Sequence, residues 1–233
     1  MKTRYIFIIF LFLLVSATFY SCNDNSTNPA IDNFELSYTS SRDTVLTDAS
    51  NILILDTVKI LLKDIKLNVA STGDSSNFKV GPYVLFLNLT SSNLTSSVNS
   101  IGTGFIPAGS YDKIQFEVHK LETNETPPDP DFRDSLGNYS VVVKGRFNGT
   151  PFVYKSTKSA KQKINYPTIV TLYTETKTNV TLLIRPQIWF MKDNDYLDPN
   201  NTANWSDIDN NIKDNIKGNF KAFKDNNKDG IPD

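Results

Sequence analysis

The sequence predicts a mainly β protein: an antiparallel β-sandwich, Ig-like or transthyretin-like, with one C-terminal amphipathic helix packed on it. Three observations support this. Residues 34–190 contain short alternating or β-branched runs separated by turn signals, without helical patterns between them. Asn148-Gly149 separates two such runs and is the strongest hairpin signal in the chain. A single apolar stripe of helical period follows in residues 206–223.

The strands are recognised by period-two alternation or by runs of β-branched residues. In the strand from Ile114 to Val118, apolar side chains share one face, while Gln115, Glu117 and His119 share the other. The same criteria select Leu53–Leu55, Val58–Val69, Tyr83–Leu89, Tyr139–Phe147, Phe152–Lys155, Thr168–Thr174 and Val180–Ile184. Strands at this spacing, without intervening helices, are typical of antiparallel sandwiches and barrels.

The helix is predicted over residues 206–223. Ser206 is the expected N-cap, and Asp207 lies in the first turn, where negative charge is favoured. Trp205 precedes this cap and is expected to pack back against the helix. The apolar stripe consists of Ile208, Ile212, Ile216, Phe220 and Phe223. We expect this stripe to dock on the sheet.

The first 21 residues predict a lipoprotein signal peptide. Lys2 and Arg4 precede a largely apolar run over residues 5–17, which is shorter than the roughly 20 residues of a membrane-spanning helix. The only cysteine, Cys22, follows that run directly after the small Ser21. This arrangement resembles the lipobox of bacterial lipoproteins, in which the cysteine is lipidated and becomes the first mature residue. The alternative is an ordinary secretory signal followed by an incidental cysteine.

Residues 22–33 are predicted to be the lipidated cysteine and a polar, flexible tether, and residues 34–233 a single domain. The resemblance implies that a lipid anchor holds the protein at a membrane. Within Asn23-Asp24-Asn25, the acidic residue near the new N-terminus resembles signals that direct lipoproteins to the outer membrane or cell surface. We therefore expect an outer-membrane lipoprotein, either facing the periplasm or exposed at the cell surface.

Composition argues against several function classes. The 25 acidic and 24 basic residues leave a net charge of −1, so no basic field for nucleic acid is expected. One cysteine and one histidine cannot build thiolate or paired-imidazole metal sites. Strand parity places His119 outward beside Glu117, as a solvated surface residue. Since no G-x-S-x-G motif occurs, we expect a non-catalytic protein; a hydrolase using Glu117, His119 or clustered aspartates is the alternative.

Several segments resemble the lipid-anchored domains known as domain of unknown function 4382. The resemblance covers roughly residues 50–190 and is clearest in Pro107-Ala108-Gly109-Ser110-Tyr111. The other matching segments are Val58–Leu67, Phe86-Leu87-Asn88-Leu89, Ile114–Val118, Gly145–Phe152, Asn179–Leu182 and Trp189-Phe190. This likeness implies a β-sandwich and a lipid anchor, and it supplies no catalytic residue.

The C-terminal residues 225–233 follow the layout of a calcium loop. Oxygen ligands would come from the side chains of Asp225, Asn227, Asp229 and Asp233 and from the carbonyl group of Ile231, with Gly230 at the sharp bend. The string resembles the Asp-rich loops of thrombospondin type 3 repeats. It ends before the bidentate acid of an EF-hand, and Lys224 and Lys228 would oppose a cation. A Ca²⁺ site and a solvated turn therefore both remain open.

Three aromatic residues near the C-terminus have two interpretations. Trp189, Tyr196 and Trp205 would form a stacking platform for a sugar ring if they were exposed. If buried, they would fix the helix to the sheet, which the position of Trp205 favours. We therefore expect a binding or interaction module, stabilised by calcium if the loop binds it. Its partner would be a protein or a glycan; the alternative function is a carbohydrate-binding module of a glycan-capture system.

Overall fold

Two packed β-sheets form the body of the protein in the computed structural model. It describes residues 31–40, 45–48, 50–79, 81–90 and 98–233, and only the backbone of Val45. Residues 31–233 cluster as one compact unit. The described residues are mainly β with one α-helix near the C-terminus, so the predicted sandwich with a packed helix is confirmed. Over the same residues, no helix is long and apolar enough to span a bilayer.

The strands, in chain order, are β1 (Phe34–Ser40), β2 (Val45–Thr47), β3 (Ile52–Val69), β4 (Ser75–Lys79), β5 (Tyr83–Asn88), β6 (Asn99–Gly104), β7 (Gly109–Val118), β8 (Arg133–Asp134), β9 (Gly137–Asn138), β10 (Val141–Phe147), β11 (Thr150–Ser156), β12 (Ala160–Leu172), β13 (Thr178–Ile184), β14 (Met191–Lys192), β15 (Asp195–Tyr196) and β16 (Lys221–Lys224). The helix α1 spans Trp205–Gly218. Short 3₁₀ helices occupy Pro130–Phe132, Pro186–Phe190 and Thr202–Asn204.

The smaller sheet has the order β16-β13-β1-β6, and the larger one β11-β10-β3-β7-β12, with β2, β4 and β5 also pairing with β3. One pairing departs from the predicted antiparallel arrangement. β1 runs parallel to β13, with Phe34 opposite Thr178 and Ser40 opposite Ile184. Parallel neighbours require a long crossover connection, which the intervening strands of the domain supply here.

The core lies between the two sheets and is closed by the helix. It draws on both sheets, for example Leu36 and Val180 from the smaller one and Leu55 and Ile114 from the larger one, all almost fully buried. Phe34 packs edge-on against Phe78, with ring centroids 5.0 Å apart. Side chains that alternate along the strands thus meet in one apolar layer, as the period-two pattern predicts.

The hairpin predicted at Asn148-Gly149 joins β10 to β11. Phe147 pairs with Thr150, and both turn residues have positive φ, 49° and 81°. Two positive φ values are the requirement of a type I′ turn, which Asn-Gly satisfies with little strain. The Asn148 Oδ1 atom also accepts a hydrogen bond from the Ile52 amide at 2.8 Å, which ties the turn to β3.

The helix is shorter than predicted. Its N-cap is Asn204, which makes no side-chain capping hydrogen bond, so the assignment of Ser206 as cap is wrong by two residues. Ile208, Ile212 and Ile216 are fully buried as expected. The chain leaves the helix at Gly218, and Phe223 lies instead on β16, opposite Thr181 of β13. Glycine is a poor helix former, and the edge of β13 offers the backbone a ladder of partners.

A segment over residues 120–140, here called the covering segment, lies on the outer face of the larger sheet. Its Leu121, Phe132 and Tyr139 pack with Leu61 and Val142 of the sheet in a second, smaller apolar cluster. Around this cluster, acidic residues of the covering segment pair with lysines of the sheet: Lys59 with Asp129 and Asp131, Lys63 with Glu125, Lys144 with Asp131, and Lys155 with Asp134.

Candidate functional site

The predicted lipidation site, Cys22, lies outside the described residues, as do the signal peptide and residues 22–30 of the tether. The first described residues are Ile31, Asp32 and Asn33. They show where the predicted tether joins the fold.

Asn33, the last residue of the predicted tether, belongs to the fold and fixes the point at which the chain enters the domain. Its side chain is buried and uses both polar atoms: Nδ2 donates to the carbonyl oxygens of Ile106 at 2.9 Å and Tyr173 at 2.8 Å, and Oδ1 accepts from the Ile106 amide at 2.9 Å. The Asn33 carbonyl accepts from the Thr178 amide at 2.9 Å. This residue joins three separate segments, and an asparagine before an apolar strand gives no sign of that in the sequence.

β1 continues directly from this point into the middle of the smaller sheet. It is hydrogen-bonded on one side to β13 and on the other to β6. Every residue from Phe34 to Thr39 is buried. A tether attached here therefore ends on one of the most enclosed strands of the protein and not on a peripheral one.

The C-terminal loop is organised around the carboxylate of Asp225, which is fully buried. Its Oδ1 atom accepts from the Asp229 amide at 3.0 Å. Its Oδ2 atom accepts from the Gly230 amide at 3.1 Å and from the Thr181 hydroxyl at 2.7 Å. Three donors thus surround the carboxylate. One of them, the Thr181 hydroxyl, belongs to β13, so Asp225 bonds the loop to the smaller sheet.

The other predicted calcium ligands bond within the same loop. Asn227 accepts from the Asp229 amide at 3.2 Å, and Asp229 accepts from the Ile231 amide at 2.8 Å. Asp233 accepts from the Asn226 amide at 3.0 Å and lies 3.3 Å from the Lys224 ammonium group. Within the described residues, no group of three or more histidine, cysteine or acidic side chains is placed to hold a metal ion. The calcium site stays a prediction.

Lys228 has a partner in the first strand. Its Nζ lies 2.6 Å from Glu35 Oε1, and Lys177 Nζ lies 2.9 Å from Glu35 Oε2. Burial by itself would raise the pKa of Glu35, but hydrogen bonds from Lys228, Lys177 and Ser100 outweigh it and lower the pKa to about 2. This buried carboxylate links the C-terminal loop, the β12–β13 turn and β1.

The three aromatic candidates do not form one exposed platform. Trp189 is only 1% exposed, so its ring offers no face to a sugar, in line with the buried interpretation of this residue. It belongs to the core because the 3₁₀ helix Pro186–Phe190 turns it inward. Trp205 is 49% exposed, its indole donates to the Pro199 carbonyl at 2.8 Å, and its ring meets Tyr154 edge-on. Tyr196 is half-buried against the core, and its amide donates to Asp48.

The prediction that His119 is a solvated surface residue is wrong. It is 5% exposed because the covering segment lies over it. Its Nε2–H donates to Glu125 Oε2 at 2.6 Å, and Nδ1 lies 3.7 Å from Glu117. Burial would raise the pKa of Glu125, but hydrogen bonds from the Glu122 amide, His119 and Lys63 lower it to about 2. His119 therefore links the sheet to the covering segment through Glu125, and we call this contact the clasp.

An open depression beside this clasp is lined by Lys120, Leu121, Glu122, Thr123, Asn124 and Asn138. Neither His119 nor Glu117 lines it. The depression therefore does not bring together the residues that the hydrolase alternative would use.

No protein-family model matches the chain, and neither a curated protein nor a solved structure is significantly similar to it. The resemblances to domain of unknown function 4382 and to thrombospondin type 3 loops therefore rest on the short motifs given above. The Ig-like or transthyretin-like character of the sandwich also stays a prediction.

Proposed function

We propose that the chain is a non-catalytic lipoprotein of the bacterial envelope, held at the outer membrane through acyl chains on Cys22, whose β-sandwich acts as a binding or interaction module. The observation that carries the proposal is the position of the only cysteine. It follows a basic and apolar leader, and it precedes the first buried residue of the fold, Asn33, by eleven residues (33 − 22).

The way in which the tether meets the fold supports an anchored role. β1 is flanked on both sides, so a pull on the tether is shared by the hydrogen bonds to β13 and to β6. Each buried CH₂ of an acyl chain contributes about 0.8 kcal/mol, and two or more chains give stable attachment. The body can therefore stay folded while it is held close to a membrane.

The arrangement of charges supports an interaction module more than an enzyme. On the outer face of the larger sheet, four lysines form ion pairs with four acidic residues of the covering segment. Catalytic acids and bases need a position facing substrate and a pKa near the working pH. The lowered pKa of Glu125 and the buried clasp at His119 fit a structural role instead.

The proposal is tested by expressing the full chain with its leader in a bacterial host and determining the mass of the peptide that begins at Cys22. We expect an acylated cysteine at the new N-terminus and recovery of the protein with the outer-membrane fraction. A Cys22→Ser variant should lose both and serves as the control. An unmodified thiol on a protein that stays in the aqueous fraction would contradict the proposal.

The carbohydrate-binding alternative depends mainly on Trp205, because its ring is half-exposed, whereas Trp189 is enclosed and Tyr196 is half-buried against the core. Calorimetric titration with maltohexaose and cellohexaose tests it. Binding that is lost in Trp205→Ala and kept in Tyr173→Ala, an exposed aromatic elsewhere, would favour this alternative. If neither sugar releases heat at millimolar concentration, Trp205 is not a platform for glucose oligomers.

The calcium part of the proposal is tested separately. Binding would require Asp225 to exchange its three hydrogen-bond donors for the ion, so we expect weak affinity at the millimolar end. A ligand of the native state raises stability by RT ln(1 + [L]/Kd). If the thermal midpoint does not rise at several millimolar calcium relative to the same magnesium concentration, the loop is a structural turn only.

A further inference from the structure

Three large side chains are exposed where the tether leaves the fold. Ile31 is 76% exposed, Phe105 42% and Tyr173 61%. They come from three different parts of the chain: the tether, the loop between β6 and β7, and the turn between β12 and β13. We call these three residues the exit collar.

The collar is one surface because Asn33 binds its three segments together. The Asn33 side chain bonds to the backbone of Ile106, next to Phe105, and to that of Tyr173 itself. The Thr103 hydroxyl donates to Asp32, next to Ile31. Phe34 pairs with Gly104 and with Thr178, which brings the same backbone segments side by side.

Few charges accompany these side chains. The segments around the collar, residues 31–33, 103–109 and 172–178, carry only Asp32, Glu175 and Lys177. Ile169 adds a further apolar side chain, 60% exposed, four residues before Tyr173 on the outward face of β12. A patch with aliphatic and aromatic side chains, a phenolic hydroxyl and little charge suits the interface between lipid headgroups and acyl chains.

We propose that the exit collar rests in the headgroup region of the bilayer in which the Cys22 lipid is inserted. This inference depends on the proposed lipid anchor. The length of the chain before Asn33 indicates that the membrane is what contacts the collar. The eleven residues from Cys22 to Asn33 reach at most about 40 Å, so an anchored tether keeps the collar close to the membrane surface. Since the collar has no excess of positive charge, the contact is apolar and does not require anionic lipid.

The contact fixes the orientation of the whole domain. β7 starts beside the collar at Gly109 and ends at Val118, where the covering segment begins, ten residues and roughly 30 Å further on. The collar at the membrane therefore directs the covering segment and its ion pairs away from the bilayer. The surface available to a partner is then the end that carries Leu136, the most exposed large apolar side chain of the described residues, at 89%.

The experiment uses the full chain, purified in its lipidated form and reconstituted in phosphatidylcholine vesicles. Because the acyl chain occupies the only native cysteine, the variants Phe105→Cys, Tyr173→Cys and Leu136→Cys each carry one thiol for a fluorophore. We expect lipids with a shallow nitroxide to quench the labels at 105 and 173 about twofold, since interfacial side chains lie about 5–10 Å deep. The label at 136, the control, should be quenched only by aqueous iodide.

Each outcome has a distinct meaning. If mass spectrometry shows an unmodified Cys22, the proposed function fails and this inference fails with it. If Cys22 is acylated but the labels at 105 and 173 are as open to iodide as the label at 136, the inference alone is overturned. Labels protected from iodide but not quenched by nitroxide lipids would identify a second copy of the chain as the occupant, which also overturns it.

Discussion

The Asp225 side chain attaches the C-terminal loop to the sandwich. Asp225 is buried and accepts hydrogen bonds from Thr181, Asp229 and Gly230. A buried carboxylate is costly unless its oxygens are paired, and here both are. The residue with the clearest resemblance to a calcium ligand is therefore also the one with the clearest structural role.

Asp225→Asn should destabilise the protein by about 1–3 kcal/mol, because an amide nitrogen would replace one acceptor and leave a buried donor unpaired. The measurement is the free energy of unfolding in urea. Asp229→Asn, at an exposed position in the same loop, is the matched control and should change it by less than about 0.5 kcal/mol. Equal effects of the two variants would contradict this role for Asp225.

Glu35 should make stability depend on acid pH. Its pKa is about 2 in the folded protein and near 4.5 when unfolded, so its contribution is complete above pH 4.5 and is lost as the pH falls towards 2. We expect on the order of 2 kcal/mol, below the full value of the shift because Lys177 and Lys228 are partly exposed.

The test compares the free energy of unfolding of the native chain and of Glu35→Gln between pH 6 and pH 2.5. The two should differ most at pH 6 and converge as the pH falls. Glu175→Gln, an exposed glutamate on the neighbouring turn, should follow the native curve throughout. If the difference in unfolding free energy between Glu35→Gln and the native chain does not change with pH, Glu35 is not the source of the acid dependence.

At the scale of elements, close packing between β3, β10 and β11 depends on a glycine. A Cβ atom at Gly145 would lie 2.2 Å from the Ile54 carbonyl oxygen and 2.9 Å from the Phe152 ring. The pairing of β10 with β3 also shifts register at this residue. Backbone and aromatic ring come together here only because no side chain intervenes.

Gly145→Ala should therefore destabilise the protein by about 3 kcal/mol, because β3 or Phe152 must move. Gly218→Ala is the control: it lies at the end of α1 with nothing within 4 Å of its Cβ position, and should be neutral or stabilising by up to about 1 kcal/mol. Thermal unfolding measures both variants. If the thermal midpoint of Gly145→Ala equals that of the native chain, β3 and Phe152 make room for the methyl group without cost.

In the part of the chain that the structure describes, the first and the last strand lie in the same sheet. β13 has β1 on one side and β16 on the other, so the first and last described strands share one neighbour. Three apolar residues of the last segment, Phe220, Ala222 and Phe223, are buried. Because such pairings join residues far apart in sequence, they form only when the rest of the fold is present.

A chain ending at Gly218 should lose its cooperative thermal transition. It lacks β16 and the buried Asp225, and it leaves Asn179 and Thr181 without the partners they bond there. A chain ending at Ile231 is the control, since it keeps Asp225 and Gly230 and loses only surface contacts of about 1 kcal/mol or less. Cooperative melting of the shorter chain near the native temperature would show that β16 is dispensable.

Sequence alone predicted part of the local structure of this protein. Period-two alternation predicts many of the strands, Asn148-Gly149 predicts its hairpin, and the isoleucine stripe predicts the buried face of α1, because each depends on residues close together in the chain. The helix cap and the helix end were predicted wrongly. The lipid anchor at Cys22 and the calcium loop remain sequence predictions of the same local kind, open to the experiments above.

Only the tertiary structure decided which distant residues meet. It placed β1 parallel to β13, enclosed His119 under the covering segment, moved Phe223 from the helix to a strand, and joined the three parts of the exit collar through Asn33. Strand parity could not foresee the burial of His119, because a strand pattern does not show what will cover its outer face. These positions follow from packing between segments far apart in sequence, which no local pattern encodes.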